Sequence, residues 1–144
     1  MFLDTNVLVR ARFEAAQGHA IARRRMQDAG ESGEYLRISR QVVREYLATV
    51  TRPQRWSPPV QMDAALEHVA ALEGRFEMLE DGPGVADMLK RLCFEVPVAG
   101  KPVHDANIVA TMLAHGERRL LTFNGRDFRR YGVRIELIEG EGLE

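Results

Sequence analysis

The chain has 144 residues, about the size of one ordinary domain, and 45% of them are hydrophobic, which is enough for a packed core. Its formal net charge is −1 at pH 7, and its one cysteine, Cys93, cannot form an internal disulfide, which fits a reducing compartment. No apolar run approaches the ~20 residues that span a bilayer, and we see no signal peptide before the first predicted strand. These features exclude a membrane-spanning or disulfide-stabilised protein, and we expect a cytoplasmic one.

Short apolar strands alternate with helices along the sequence. In chain order the predicted elements are strand MFL, helix TNVLVRARF, helix HAIARRRMQDAG, strand EYLRIS, helix RQVVREYLATVT, helix DAALEHVAALEG, strand FEMLE, helix VADMLKRLCFEV, helix HDANIVATMLAHG, strand RRLLTF, one or two helical turns in GRDFRRYG and strand VRIELIE. Ser57 and Pro58 predict the start of the fourth helix. The alternation predicts an α/β domain with a mostly parallel sheet over residues 1–140, followed by a polar tail at 141–144.

Acidic residues follow the predicted strands or begin the adjoining helices. Asp4 closes the first strand, Asp105 opens the helix HDANIVATMLA, and Asp127 lies just past the fourth strand. Sites in open parallel sheets form outside the carboxyl ends of the strands, so these positions are candidates for one site. From the stretch around Asp4 alone, helix capping is the favoured explanation, and the positions of the other acids must decide.

Helical spacing separates Asp105 from an ordinary solvated residue. It shares a helix face with four apolar residues that must pack on the sheet, namely Ile108, Val109, Met112 and Leu113. An ionised group on such a face needs a compensating partner. Glu45 lies at the rim of the apolar face of the third predicted helix, so both a solvated and a functional role stay open for it.

Several converging carboxylates repel one another and raise each other's pKa values, and a divalent cation resolves that conflict. Mg²⁺ and Mn²⁺ prefer oxygen ligands, and Mg²⁺ usually keeps several waters. The one cysteine and the four histidines show no zinc-ligand spacing, so zinc is not favoured.

Four motifs together resemble a PIN domain, and most closely the VapC-type toxins of bacterial toxin–antitoxin pairs. They are FLDTN, VVREYLATVTRP, VHDANIVATMLAHG and LLTFNGRDF, and their order covers nearly the whole chain. The resemblance implies a central parallel sheet, usually of five strands, flanked by helices. It also implies a Mg²⁺- or Mn²⁺-dependent endoribonuclease.

The resemblance also implies the site residues. The family's first three acids correspond to Asp4 in FLDTN, Glu45 in VVREYL and Asp105 in VHDAN. The fourth is ambiguous, because many relatives carry an acid where this chain has Asn124; we favour Asp127 as the fourth ligand, with Asn124 as a helper. Polar residues that line the same pocket in relatives correspond to Asn6 and Thr122, whose alternative roles are capping and turn bonding.

The implied mechanism is metal-assisted hydrolysis of an RNA phosphodiester, with Glu45 orienting or deprotonating the attacking water or holding a second ion. Arginines are concentrated in residues 1–55, and their paired donors suit phosphate. Candidate contacts to the RNA backbone are Arg12, Arg23, Arg24, Arg40, Arg44 and Arg52, for which solubility is the alternative role. The resemblance further implies a small antitoxin whose tail docks across the cleft, and a homodimer.

Other functions stay open at this stage. The chain can be a PIN-fold module that binds RNA or protein without turnover, an alternative motivated by Asn124. A phospho-accepting receiver domain needs an acidic pair after the first strand, and FLDTN has only one acid. A DNA-directed nuclease shares the metal chemistry, but the sequence has no added DNA-clamping segment.

Overall fold

A five-stranded sheet organises residues 1–140, the part of the chain that the computed structural model describes. The strands are β1 (Phe2–Leu3), β2 (Arg37–Ser39), β3 (Glu77–Leu79), β4 (Arg119–Thr122) and β5 (Glu136–Glu139). All pairings between them are parallel, and their order across the sheet is β3-β2-β1-β4-β5. The predicted α/β class and parallel sheet are therefore confirmed. The predicted polar tail, residues 141–144, lies outside the described part.

Helices flank this sheet at the positions that the hydrophobic pattern predicts. They are α1 (Thr5–Arg12), α2 (His19–Glu31), α3 (Arg40–Val50), α4 (Met62–Arg75), α5 (Pro83–Glu95) and α6 (Pro102–Ala114). The predicted helical turns between β4 and β5 are two short 3₁₀ helices, Gly125–Asp127 and Arg129–Arg134. Within residues 1–140, no helix combines the length and the apolar character that crossing a membrane requires.

The start of α4 differs from the prediction. The sequence Ser57-Pro58 indicates a helix start, but α4 begins at Met62, after Gln61 as its N-cap. A proline disfavours the α conformation in the residue before it, and Pro58 precedes Pro59, so the helix cannot begin there. Ser57 instead forms an isolated bridge with Gln54, and residues 51–61 form a loop between α3 and α4.

The core lies on the central strands and on the helix stripes that face them. Phe2, Leu3 and Ile38 are fully buried, as are the two leucines of β4. The predicted stripe of α6 is buried at Ile108, Val109 and Met112, and Leu113 is half-buried. Burial of this stripe brings the first turn of α6, with Asp105, against the end of the sheet.

The strand order creates a crevice at the carboxyl end of β1. This strand pairs with β2 on one side and with β4 on the other, so the connections leave its end in opposite directions. In parallel α/β sheets, ligands bind outside the strand ends at such a switch point. Asp4 follows β1 and Asn124 lies just past β4, so both stand at this crevice.

Candidate active site

A cleft of about 720 Å³ opens at the carboxyl ends of β1 and β4. Five of the residues predicted for the site from motifs line it together, namely Asp4, Asn6, Glu45, Asp105 and Asn124. They come from the end of β1, the start of α1, the middle of α3, the first turn of α6 and the segment after β4. The fold thus brings together side chains that are as far as 120 positions apart, from Asp4 to Asn124.

Asp4 is buried and caps α1. Its Oδ1 accepts a hydrogen bond from the backbone N–H of Thr5 at 2.8 Å, so the capping role that the sequence left open is present. Its Oδ2 accepts from Thr122 Oγ1 at 2.8 Å and from Asn6 Nδ2 at 3.2 Å. These contacts hold the carboxylate rigidly between β1 and β4 while one side faces the cleft.

The pKa of Asp4 is raised to about 6. Burial is the largest cause, and the negative charges of Glu45 and Asp105 add to it, while the hydrogen bonds from Thr122 and Thr5 lower the pKa in part. Burial disfavours the charged form of a carboxyl group, and nearby like charges do the same. Part of the rise in the pKa of Asp4 is therefore caused by the charges of Glu45 and Asp105.

Glu45 is positioned by hydrogen bonds from two elements. Its Oε1 accepts from Thr5 Oγ1 at 2.7 Å, and its Oε2 accepts from Gln41 Nε2 at 3.2 Å. Gln41 also donates to the carbonyl of His104 at 2.8 Å and accepts from Asn107 Nδ2 at 2.8 Å. This buried glutamine ties α3 to α6, and therefore fixes Glu45 relative to the turn that carries Asp105.

Sequence reasoning missed Gln41. A signal for it exists, because Gln41 precedes Glu45 by one helical turn and so lies on the same face of α3. Burial explains its role. Gln41 is only 6% exposed, so both the nitrogen and the oxygen of its side-chain amide need hydrogen-bond partners within the protein.

Asp105 lies half-buried in the first turn of α6. Its pKa is raised to about 6, mainly by burial and in addition by the charges of Asp127 and Glu45, against a lowering effect of Arg130. The negative charge at a helix N-terminus is favoured by the helix dipole, which makes this a good position for an acid. The charge of Glu45 raises the pKa of both Asp4 and Asp105, so the three acids form one electrostatic cluster.

The remaining predicted polar residues either line the cleft or hold the elements around it in place. Asn6 accepts from the backbone N–H of Phe123 at 3.1 Å, and Thr122 accepts from that of Asn124 at 3.0 Å. These bonds join the start of α1 to the segment after β4. Asn124 lines the cleft, whereas Asp127 is exposed and does not line it, although its charge acts on Asp105.

Among the arginines predicted to contact RNA, Arg52 lines the cleft. Arg12 contacts His68, and Arg40 is held by Glu73 and Glu80. Arg23 lines a different cavity. The other two, Arg24 and Arg44, are exposed, and neither lines the cleft.

Several further cleft residues were not predicted, among them Arg55, Trp56 and Lys101. Arg55 and Trp56 lie in the loop 51–61, between the end of the third predicted helix and the expected helix start at Ser57, and a local pattern does not specify the path of such a connection.

The donor set fits a hydrated hard cation. Within residues 1–140, no three His, Cys, Asp or Glu side chains lie close enough together to hold a metal by themselves. Mg²⁺ is usually held by one or two carboxylates and keeps several of its waters, so it does not need three protein ligands in direct contact. Asp4, Glu45 and Asp105 offer carboxylate oxygens to one cleft, and Asn124 offers a neutral carbonyl oxygen. The cleft is wide enough for a cation with its water shell.

Comparison with known families agrees with this geometry. Residues 1–134 match the PIN domain. The chain therefore belongs to the PIN domain family, as its motifs predicted. No curated protein matches the chain significantly.

Solved structures of similar fold include several toxin–antitoxin proteins. VapBC2 from Rickettsia felis, bound to a promoter DNA fragment, has a TM-score of 0.72 at 17% identity and covers 96% of both chains. VapC20 from Mycobacterium tuberculosis, a toxin that cleaves the sarcin-ricin loop, has a TM-score of 0.68 at 18% identity, with 91% of this chain and 94% of that chain covered. DNA-bound VapBC from Salmonella typhimurium has a TM-score of 0.70 at 18% identity and covers 96% of both chains. At these identities the likeness concerns the fold, which is that of VapC-type PIN domains.

Proposed function

We propose that this chain is a metal-dependent endoribonuclease and the toxin of a toxin–antitoxin pair. The observation that carries the proposal is the cleft at the switch point, where Asp4, Glu45 and Asp105 converge. Like charges are costly to hold together in a partly buried site, and active sites are where such arrangements occur. Membership of the PIN family and the RNA cleavage attributed to VapC20 support the same function.

The roles of the side chains follow from their contacts. Asp4, Asp105 and Glu45 would hold Mg²⁺ or Mn²⁺ directly or through water, with Asn124 as a neutral oxygen donor and Asp127 as a more distant charge. When bound, the cation lowers the pKa of a water molecule and stabilises charge on the phosphate. Thr5 and Gln41 orient the Glu45 carboxylate, which can accept a proton from the attacking water. The proposed substrate is RNA, and the proposed place of action is the cytoplasm.

The test is cleavage of a mixed RNA substrate by the wild-type chain and by Asp4→Asn, each with Mg²⁺, Mn²⁺ or EDTA. We expect cutting by the wild type with metal only, and at least ~100-fold slower cutting by Asp4→Asn, because an acid that holds the cation is removed. An equal rate for the variant, or undiminished cutting in EDTA, would contradict the proposal.

A non-catalytic PIN module is the second candidate. Asn124 supplies no charge at the fourth position, and no group of three acids in residues 1–140 is close enough to hold an ion alone. This candidate predicts that the wild-type chain cleaves no RNA and that calorimetry detects no binding of Mg²⁺ or Mn²⁺. The nuclease predicts binding that Asp4→Asn weakens.

The antitoxin partner has a candidate docking surface outside the cleft. A cavity of about 340 Å³ between α1, α2, α3 and α4 has an apolar floor at Leu8, Met26 and Phe76. The arginines around it are Arg12, Arg23 and Arg75, and none of them forms a salt bridge with a carboxylate in the described residues. This combination suits an antitoxin segment with apolar and acidic side chains.

Co-purification with the product of the adjacent gene tests this partner. We expect Arg23→Glu combined with Arg75→Glu to release the antitoxin and to leave RNA cleavage by the free toxin unchanged. The matched control is Arg24→Glu on the exposed face of α2. Retention of the antitoxin by the double variant would contradict this docking surface.

Homodimerisation is proposed on the basis of exposed apolar side chains. Phe94 is 87% exposed and Val133 is 88% exposed, and Met62 and Leu66 are half-exposed on one face of α4. Exposed apolar groups of this size are typical of contact surfaces when they lie together. A light-scattering mass equal to one chain at micromolar concentration would contradict the dimer.

A further inference from the structure

The loop between α3 and α4, residues 51–61, forms one wall of the carboxylate cleft. Its backbone is tied back at two places, by Gln54 N–H to the carbonyl of Ser57 at 2.9 Å and by Val60 N–H to the carbonyl of Val50 at 2.8 Å. The side chain of Gln54 also donates to the carbonyl of Thr49 at 2.8 Å. The loop is therefore held against the end of α3, and its side chains have defined positions at the cleft.

Trp56 is the large side chain of this wall. Its ring lies 4.7 Å from the ring of Phe13, at an interplanar angle of 44°, and it also lines the cleft. It is partly exposed, so Phe13 supports it on one side while indole surface stays available to a ligand. Trp56 thus packs against the edge of the core on one side and lines the cleft on the other.

Positive charges accompany Trp56 at the rim. Arg52, Arg55 and Lys101 line the same cleft, and none of them forms a salt bridge within residues 1–140. Arg52 is oriented by its Nε, which donates to the carbonyl of Ala48 at 2.9 Å. By contrast, Arg37 and Arg40 are paired with glutamates. The cleft therefore has an acidic floor and a cationic rim whose charges remain available to phosphate.

We propose that Trp56 is a stacking platform for an unpaired nucleobase of the RNA, and that Arg52, Arg55 and Lys101 hold the phosphates beside it. Aromatic side chains stack on bases of any sequence, and basic side chains follow the backbone, in sites that bind single strands. A base inside a duplex already stacks on both faces and cannot cover the indole. The platform therefore selects single-stranded RNA. This inference rests on the proposed nuclease function and names its substrate class.

The first test uses Trp56 itself, because it is the only tryptophan of the chain and reports on the cleft alone. Asp4→Asn is titrated in EDTA, so that no cleavage occurs, with a short single-stranded oligouridine. We expect the tryptophan fluorescence to be quenched as the oligonucleotide binds. The same sequence paired in a duplex, and inorganic polyphosphate, are expected to leave it largely unquenched. Absence of quenching by the single strand, or equal quenching by duplex or polyphosphate, would overturn the stacking role.

The second test compares Trp56→Leu, which keeps an apolar group against Phe13, with Trp56→Phe, which keeps a smaller ring. We expect Trp56→Leu to raise the KM for single-stranded RNA about tenfold, with kcat within about twofold, and Trp56→Phe to have a smaller effect. Arg91→Gln, at an exposed position of α5 that does not line the cleft, is the control. If Trp56→Leu is folded, as shown by a cooperative thermal unfolding transition, and its KM is unchanged, the inference is overturned.

The two proposals fail differently. RNA cleavage with an unquenched tryptophan and an unchanged KM in Trp56→Leu would leave the nuclease and overturn the platform. Quenching by single-stranded RNA in a chain that cleaves no RNA would overturn the nuclease and support the platform as the binding surface of a non-catalytic module.

Discussion

At the scale of single residues, Asp4 combines two roles that oppose each other energetically. Its hydrogen bonds to Thr5, Asn6 and Thr122 join α1 to β4, which supports the fold. Its charge is unfavourable in the same place, because burial and the neighbouring acids raise its pKa to about 6. A metal ligand is expected to be costly to ionise at its position before the metal binds, and Asp4 has this property.

The first prediction concerns the stability of Asp4→Asn without metal. In EDTA at about pH 8 we expect this variant to be more stable to denaturant than the wild type by about 1 kcal/mol, because a buried charge is removed and Oδ1 can still accept from Thr5. The gain is limited because the amide nitrogen that replaces Oδ2 cannot accept from Thr122 and Asn6. Asp28→Asn, at an exposed position of α2 away from the cleft, is the matched control and should leave stability unchanged. A variant less stable than the wild type would mean that the hydrogen bonds to the ionised form outweigh the burial of its charge.

The second prediction concerns the same site at different pH. A carboxyl group with a raised pKa is charged above about pH 6 and takes up a proton below it, for both Asp4 and Asp105. Metal binding requires the charged form, so protons compete with Mg²⁺ increasingly as the pH falls below about 6. We expect calorimetry to give an affinity at least about tenfold weaker at pH 5 than at pH 7. A constant affinity over this range would contradict the raised pKa values.

Without metal, the sign of the pH effect on stability is opposite to that of an ordinary ion-paired acid. Because the pKa of Asp4 in the folded chain lies above its ordinary value of 3.8, ionisation of Asp4 destabilises the fold. That loss is complete above about pH 6 and is progressively removed as the pH falls from about 6 to 3.8. Protonation of the cleft acids therefore weakens metal binding. In the metal-free protein it also removes the destabilisation caused by the buried charge of Asp4.

At the scale of elements, α3 carries a buried stripe and a cleft-lining stripe side by side. Val42, Tyr46 and Val50 are buried. Glu45 and Thr49 lie at the rim of this buried stripe and line the cleft, and Arg52 follows just beyond the helix end. Ser39 caps this helix through its Oγ, which accepts from the N–H of Val42 at 3.4 Å. Packing of the buried stripe therefore determines where the cleft-lining stripe points.

The third prediction tests how α3 is joined to α4. The Tyr46 hydroxyl lies 2.8 Å from His68 Nδ1, and the Nε2 of that ring is 3.0 Å from Arg12. Because Nε2 accepts from the guanidinium, the neutral ring carries its proton on Nδ1 and donates it to Tyr46. We expect Tyr46→Phe to lower the free energy of unfolding by about 1 kcal/mol, since a buried hydrogen bond is lost.

A matched control for this change lies elsewhere in the core. The hydroxyl of Tyr131 is buried and has no hydrogen-bond partner in the described residues. We expect Tyr131→Phe to be neutral or slightly stabilising in the same denaturation experiment, because no hydrogen bond is lost. Equal losses for the two variants would show that the Tyr46–His68 contact contributes nothing specific.

At the scale of the whole molecule, the two ends of the sheet have different tasks. The acids that line the cleft lie beyond the carboxyl ends of the strands. The amino ends carry a cluster of ion pairs centred on buried Glu117, which accepts from the amino group of Met1 at 2.8 Å and from Arg37 at 2.9 Å. In this cluster every charge has a partner, which suits a structural role.

The fourth prediction tests this cluster. Burial alone raises the pKa of Glu117, but the Met1 amino group, the backbone N–H of Arg119 and Arg37 together hold the pKa below its ordinary value of 4.5. We expect Glu117→Gln to lower the free energy of unfolding by about 2 kcal/mol near pH 7, because charged hydrogen bonds are lost. Glu136→Gln, whose contact to Arg119 at 3.4 Å is exposed, should change it by no more than about 0.5 kcal/mol.

The pH dependence of this fourth prediction follows from the lowered pKa. The stabilisation by Glu117 is fully present above about pH 4.5 and is lost as the pH falls through its lower folded value. We therefore expect the difference between the wild type and Glu117→Gln to shrink in acid denaturation curves. A difference that stays constant to low pH would mean that packing, and not charge, accounts for the loss.

Local pattern predicted much of the fold because the relevant signals are short-range. Alternating apolar residues predicted the strands, and the stripe of Ile108, Val109 and Met112 predicted the buried face of α6. The stripe also placed Asp105 at the edge of the core. The start of α4 was predicted wrongly, because Pro59 prevents Pro58 from adopting the helical conformation that Ser57-Pro58 otherwise indicates.

The sequence by itself determined the class of fold and, through its motifs, the family, because helix and strand periods and short motifs are properties of neighbouring residues. Only the tertiary structure decided which residues meet. The strand order put Asp4 beside Thr122, packing of α3 on α6 buried Gln41 against Glu45, and the path of the loop 51–61 brought Trp56 to the cleft. Contacts of this kind depend on long-range packing and on the burial of polar groups, which no local pattern encodes.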